Sequence, residues 1–208
     1  MNIIDKQIYN NIELLPLDLQ GWNSDSKIFI SLIQETNPEL IIEVGTWKGR
    51  SAINMAKYLK DNKLNCKIIC VDTWLGALEF WDKLKHTPER DLLLKNGYPQ
   101  IYYQFLSNVI HNDVQDYILP FPCTSLIAAR YFKNNNIKSK LIYIDASHEY
   151  EDVLLDLKYF YNILDSNGVL FGDDINNFPG VKQAVQEFTR ENNLKYSIIE
   201  NNYWVIKQ

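Results

Sequence analysis

Asp145, His148, Asp173 and Asp174 are the residues of this chain whose types and spacing point most directly to chemistry. Asp145 closes the apolar run Leu141 to Ile144, and Asp173 and Asp174 follow Val169 to Phe171 and Gly172, so each carboxylate ends a stretch that reads as a buried strand. Right-handed crossovers set consecutive parallel strands side by side, which brings the three carboxylates to one edge of the sheet. Gathered there they repel one another unless something offsets their charge. A divalent cation does so, and oxygen-only ligation favours Mg²⁺, Mn²⁺ or Ca²⁺. In a plainer arrangement Asp173 or Asp174 caps its loop and Asp145 holds backbone or cofactor, because aspartates are common at strand-end turns. His148 follows Asp145 closely enough to reach the same place, where an imidazole can take a hydroxyl proton near neutral pH. Its alternative role is to orient a carboxylate or cap the following helix.

A second group lies in IIEVGTWKGRS, Ile41 to Ser51. Leu40 to Val44 is apolar with little alternation, as in a parallel strand buried on both faces, and Gly45 and Gly49 let the next turn bend sharply toward a bound group. Ala52, Met55, Ala56 and Leu59 then recur at helical spacing, so a ligand in the turn meets a helix N-terminus. The following strand, Lys67 to Val71, ends at Asp72, where nucleotide-binding α/β proteins bind ribose hydroxyls. The dinucleotide fingerprint G-x-G-x-x-G is absent, because Thr46, Trp47 and Lys48 separate the two glycines.

The elements that must position these residues describe one α/β domain. With 208 residues and 46% hydrophobic content, the chain can bury a sizeable core. An arm holding Pro16, Gly21 and Trp22 precedes a helix from about Ser24 that Pro38 ends, the two together spanning residues 1–37. A third strand, Tyr117 to Phe121, leads through Pro122, Cys123, Thr124 and Ser125 into a helix ending near Phe132, and the Asn134 to Asn136 run reads as the loop after it. Val153, Leu157, Phe160 and Leu164 share one helix face before the turn Ser166-Asn167-Gly168. Pro179 to Phe188 forms another helix, and Tyr196 to Glu200 and Tyr203 to Lys207 pair as a hairpin across Asn201-Asn202.

Residues 74–116 are too many for a plain crossover and form extra helices over the ligand end of the sheet. Their aromatics, Trp74, Phe80, Trp81, Tyr98, Tyr102, Tyr103 and Phe105, either line a substrate pocket or fill core. His86 and His111 have no motif around them.

Composition narrows the function further. A formal charge of -5 gives no general attraction to phosphate backbones, so nucleic acid is disfavoured as a partner. Cys66, Cys70 and Cys123 form no C-x-x-C pair and read as packing residues. No run of 18 apolar residues occurs, and MNIIDKQIYNN lacks a basic region followed by an apolar stretch; a cytoplasmic protein without membrane association is the expectation. A homodimer is compatible with everything in the sequence.

The glycine turn after the first strand and the acidic end of the second resemble the class I S-adenosylmethionine-dependent methyltransferases. That resemblance implies a Rossmann-like, doubly wound, seven-stranded, mostly parallel sheet of order 3-2-1-4-5-7-6 with helices on both faces and a C-terminal hairpin. It places Glu43, Gly45, Thr46, Trp47, Gly49 and Ser51 along the methionine part of S-adenosyl-L-methionine, with Ser51 at the carboxylate. Asp72, Thr73 and Trp74 would take the adenosine, and Thr124 or Ser125 the adenine, although both hydroxyls also suit helix capping.

In the second half, Asp-x-x-His-x-Tyr at Asp145, His148 and Tyr150 is similar to a group of small bacterial O-methyltransferases, with Asn167-Gly168 where that group more often has two glycines. Catechol-type and macrocin-type O-methyltransferases carry aspartates as metal ligands at the places of Asp145, Asp173 and Asp174. Catechol-type enzymes use a lysine base at the spacing where His148 stands. The resemblance thus implies methyl transfer to a hydroxyl of a small molecule or sugar, assisted by Mg²⁺ or another divalent cation, with His148 and Asp145 at the reacting oxygen. A metal-independent methyltransferase or a non-catalytic nucleotide-binding protein is the alternative.

Overall fold

A computed structural model describes residues 6–82, 84 and 87–208; His86 and residues 1–5 lie outside them. Seven strands form one sheet of order β3-β2-β1-β4-β5-β7-β6, the order the resemblance implied. They are β1 (Leu40–Val44), β2 (Lys67–Asp72), β3 (Ile118–Pro122), β4 (Ser139–Ile144), β5 (Leu164–Gly172), β6 (Tyr196–Ile199) and β7 (Tyr203–Lys207). The first five are parallel, and β7 runs antiparallel between β5 and β6.

Successive side chains of the central strands alternate between two buried layers. Ile41, Ile68 and Cys70 join the core under α1 (Lys27–Thr36), α2 (Arg50–Asp61) and α4 (Ile101–His111), with the one-turn α3 (Leu78–Trp81) lying between α2 and α4 in sequence. Ile42, Ile69 and Val71 join the core under α5 (Ser125–Asn134), α6 (Tyr150–Tyr161) and α7 (Pro179–Glu191). Both faces of each central strand are therefore dry, which is why these strands read as unbroken apolar runs.

Boundaries shift where a polar side chain has another task. Ser26, not Ser24, is the N-cap of α1, accepting from the Ile28 N–H at 3.1 Å. Leu164, expected on the face of α6, instead opens β5 opposite Ser139, and the pairing resumes at Leu141 with Val169 after an irregular stretch. The hairpin turns one residue early, with Glu200 and Asn201 in the left-handed region at φ 51° and 62°. That shift frees Asn202 to point its amide at Asp173 and Asp174.

Gly45 is dictated by the sheet. Its φ is +85°, and a Cβ there would stand 2.0 Å from the carbonyl oxygen of Asp145. Only glycine lets the β1 turn lie this close to the end of β4.

The N-terminal arm is strapped along α4. The Leu15 N–H donates to Ser107 and the Asp18 N–H to Asn108, each at 3.0 Å, and the Gln104 amide donates to the Pro16 carbonyl at 2.8 Å. Buried Lys48 pairs with Asp18 at 2.7 Å. Because Asp18 is 40% exposed, solvent screens part of that attraction, so Asp18→Asn is expected to cost about 1–2 kcal/mol. Thermal denaturation should show the midpoint falling by a few degrees, and an unchanged midpoint would mean that the arm is held by its backbone contacts alone.

Candidate functional site

One cavity of about 1220 Å³ opens over the carboxyl ends of β1, β2, β4 and β5 and the turn after β3. Of the residues singled out in the sequence, Gly45, Thr46, Trp47, Ser51, Asp72, Thr73, Thr124, Ser125, Asp145, His148, Asp173 and Asp174 line it. Glu43, Gly49 and Trp74 do not. Trp74 was expected to touch adenosine, but its ring packs on Tyr102 and Phe105 in the core and its indole N–H donates to the Trp47 carbonyl at 2.9 Å. Glu43 is fully buried beneath the turn, where it accepts from Ser51, Thr46 and Cys70. Burial pushes its carboxyl up to about 8 despite those donors.

Asp72 organises the glycine turn. One carboxylate oxygen accepts the Thr46 and Trp47 N–H groups at 2.8 and 2.9 Å, and the other accepts the Trp74 N–H at 2.7 Å. Trp47 and Trp74 both stand in the left-handed region, at φ 52° and 53°, which is costly for aromatic residues. The clamp holds both. Burial raises the Asp72 pKa, and these backbone donors work against that rise.

In the same cavity, Asp145, His148 and Asp174 each offer a ligand atom, all within 4.8 Å of one another. His148 Nε2 lies 3.1 Å from Asp174 Oδ2 and 3.9 Å from Asp145 Oδ1, while Nδ1 is 3.7 Å from Glu79. Nε2 is buried and, among the described residues, has no aligned hydrogen-bond partner. The ring stacks on Phe178, with centroids 4.0 Å apart and planes 11° from parallel. Burial alone would lower the imidazole's pKa, but Asp145 and Asp174 outweigh it and push it up to about 10.

Asp174 has a φ of +67°, and one of its oxygens is fixed by the amides of Asn177 and Asn202 at 2.8 and 3.1 Å. Its pKa lies below the usual carboxylate range because His148, Asn177 and Asn202 overcome the effect of burial.

Asp173, expected beside Asp174 as a ligand, also lines the cavity, but its oxygens are engaged by other groups. Its oxygens accept from Asn23, Asn202 and the Asp174 N–H. Burial and the neighbouring carboxylates Asp145 and Asp174 push it up to about 7. Tyr143 donates to Asp145 at 2.8 Å and fixes that carboxylate from below.

Sequence reading foresaw one stretch of the wall and missed others. Gly76 to Phe80, from the segment expected over the ligand end and including one of its aromatics, line the cavity, and so do Gln20 to Ser24 of the arm and Phe178, which were not foreseen. Nothing in their spacing marked them, although an arm tryptophan and a phenylalanine just before Pro179 were visible. Trp22, Phe80 and Trp47 form an aromatic rim, with centroids 6.2 and 4.6 Å apart along the chain of contacts. Within residues 74–116 it is α4 that serves the core: its Ile101, Phe105 and Val109 are fully buried.

Asp156 was also missed, and it did leave a signal. It interrupts the buried face formed by Val153, Leu157 and Phe160, yet it is itself only 6% exposed. Burial pushes its carboxyl up to about 7, against a hydrogen bond from Ser125. A folded value above the unfolded one means that this group favours folding fully below about pH 4 and loses that contribution as pH rises through 7. Asp156→Asn should therefore gain stability over wild type on going from pH 4 to pH 8, by up to about 4 kcal/mol. Denaturant melts at the two pH values measure the difference, and an equal offset at both would refute it.

The described residues contain no helix long and apolar enough to cross a membrane. A family model for a methyltransferase domain matches residues 42–175, and the chain belongs to that family. Solved structures share the fold. The O-methyltransferase NovP superposes with a TM-score of 0.65 at 17% identity over 88% of this chain and 78% of its own. CalS11, a calicheamicin methyltransferase, gives 0.63 at 18% identity over 86% and 77%. TomG from Streptomyces achromogenes, solved with S-adenosylmethionine, gives 0.63 at 13% identity over 93% and 82%. No curated protein matches the chain.

Proposed function

We propose that this methyltransferase moves the methyl group of S-adenosylmethionine onto a hydroxyl of a small molecule or sugar, with a divalent cation held by Asp145, His148 and Asp174. The observation that carries the reading is that one cavity is lined both by the Asp72-clamped glycine turn and by these three groups. The donor's sulfonium would supply an electrophilic methyl, and a cation held by these three groups would supply Lewis acidity toward an acceptor hydroxyl.

The donor set fits a cation. Two carboxylates face a buried imidazole nitrogen with no aligned partner, and imidazole among oxygens broadens the choice from Mg²⁺ toward Mn²⁺, Fe²⁺ or Zn²⁺. Tyr143 and the amides of Asn177 and Asn202 hold the two carboxylates in place. His148 as a separate base is the weaker assignment, because the imidazole nitrogen that would take the proton is the one facing Asp145 and Asp174 as a ligand to the cation. The Trp22, Phe80 and Trp47 rim offers apolar faces against which an acceptor ring can stack. Positioning of the acceptor oxygen against the methyl group then provides most of the rate gain.

Calorimetric titration of chelator-treated protein with S-adenosylmethionine and S-adenosylhomocysteine tests the first half. Dissociation constants of roughly micromolar size are expected. An acceptor screen with Mg²⁺, Mn²⁺ and Zn²⁺ tests the second. Absence of binding to either nucleoside would overturn the reading, and methyl transfer unaffected by chelator would remove the cation from it.

A further inference from the structure

Glu79 lines the cavity beside the cation cluster and has no part in the reaction as proposed. An imidazole nitrogen binds a cation through a bare lone pair, so the proton of the neutral ring belongs to the other nitrogen. In His148 the cation-facing atom is Nε2, 3.1 Å from Asp174 and 3.9 Å from Asp145. Nδ1 must then carry the proton, and the carboxylate it faces is Glu79, with Oε1 at 3.7 Å. That gap exceeds a hydrogen bond by about half an ångström, and the Glu79 side chain, 25% exposed, has room to rotate and close it.

The plane of the ring and the place of Glu79 are fixed separately. Phe178 stacks on the imidazole at 4.0 Å, which sets the plane and leaves the choice between the two nitrogens open. Glu79 belongs to the one-turn α3, whose Phe80 packs on Trp47 with centroids 4.6 Å apart and whose Trp81 indole N–H donates to the Leu75 carbonyl at 2.9 Å. At Gly76, with φ +83°, a Cβ would fall 2.5 Å from the side chain of buried Leu92, so the chain enters α3 hard against the core.

We propose that Glu79 is a positioning residue for the cation, accepting the Nδ1–H of His148 and thereby keeping Nε2 in the unprotonated form that binds a metal. The inference rests on the reading of Asp145, His148 and Asp174 as a cation site. Glu79 faces the nitrogen turned away from the cation, so it acts through the imidazole: it accepts the ring proton, and its charge makes the ring a better electron-pair donor. Glutamine at this position keeps an acceptor and loses the charge. Alanine loses both.

The test titrates chelator-treated protein with Mn²⁺ by calorimetry at one pH, with S-adenosylhomocysteine titrated alongside. Glu79→Ala is expected to weaken Mn²⁺ binding roughly 10- to 100-fold, with Glu79→Gln in between and S-adenosylhomocysteine affinity within about threefold of wild type in both. Added to His148→Ala, Glu79→Ala should weaken Mn²⁺ binding by less than about threefold more, because the group it acts through is gone.

Mn²⁺ affinity of Glu79→Ala within about threefold of wild type overturns the inference and leaves the cation reading standing, whereas a wild type that binds no Mn²⁺ overturns both. An undiminished loss on the His148→Ala background makes Glu79 act on the cation directly and also overturns the inference. Where His148→Ala binds Mn²⁺ too weakly to measure, Glu79→Gln decides, and a loss as large as that of alanine removes the hydrogen bond. Should Glu79→Ala not fold, Glu79→Gln again decides, and an affinity equal to that of wild type counts against the proposal. A parallel fall in S-adenosylhomocysteine affinity in both Glu79 variants would make the residue a support for the cavity wall and nothing more.

Discussion

Asp174→Asn is expected to lower kcat/KM for methyl transfer roughly 10³-fold while leaving the affinity for S-adenosylhomocysteine within about threefold. The substitution keeps the shape of the side chain. Asparagine also tolerates the left-handed backbone at φ +67°, so the loop after β5 should fold as before. What changes is charge: the oxygen 3.1 Å from His148 Nε2 either becomes neutral or is replaced by an NH₂ facing the imidazole. The cluster then loses a ligand and gains a donor where a cation needs an acceptor.

Asp173→Asn provides the contrast. Its carboxylate is already committed to Asn23, Asn202 and the Asp174 N–H, so its effect should be smaller and should appear partly as lost stability. Initial rates with saturating donor, measured across added Mg²⁺, Mn²⁺ and Zn²⁺, separate the two variants. Retention of activity within tenfold by Asp174→Asn would remove it from the reaction.

The same region shows what the sequence could and could not reveal. Strand ends were legible because apolar runs stop abruptly at Asp72, Asp145 and Gly172, and a parallel sheet must bring such ends together. Which of two adjacent aspartates keeps an oxygen toward His148 and Asp145 was not legible. It depends on Asn23 and Asn202, which come from the arm and the hairpin and capture Asp173 from far along the chain. His148 is similar: its place near Asp145 follows from short spacing, but its stacking on Phe178 depends on how α7 meets α6. A close approach at that junction is marked by Gly180, where a Cβ would fall 2.5 Å from the His148 carbonyl oxygen. Trp74 misled for a physical reason. Its proximity to Asp72 is real, but a left-handed φ turns the indole under the turn into the core.

Asp72→Ala should abolish measurable binding of S-adenosylhomocysteine, a loss of about 100-fold or more, and lower the thermal midpoint by roughly 6–12 °C. The stability effect arises in the empty protein. Removing the carboxylate leaves the N–H groups of Thr46, Trp47 and Trp74 without their acceptor, and it releases two tryptophans from backbone conformations they adopt only under constraint. About 3 kcal/mol follows from three lost charge-assisted bonds, allowing for water to replace some of them.

The binding effect has two sources, lost hydrogen bonds to ribose and a turn that must be reordered before any ligand can bind. Asp72→Asn separates them. Its amide can still accept on one oxygen, so the turn keeps part of its clamp, while an NH₂ group must face either a backbone N–H or the ligand. Melting in the absence and presence of ligand then gives each term: the apo midpoints rank Ala below Asn below wild type, and the ligand-induced rise reports affinity. A variant whose apo midpoint falls as expected but whose ligand-induced rise is intact would make Asp72 a clamp for the turn and nothing more, and the ribose would have to be held elsewhere in the cavity.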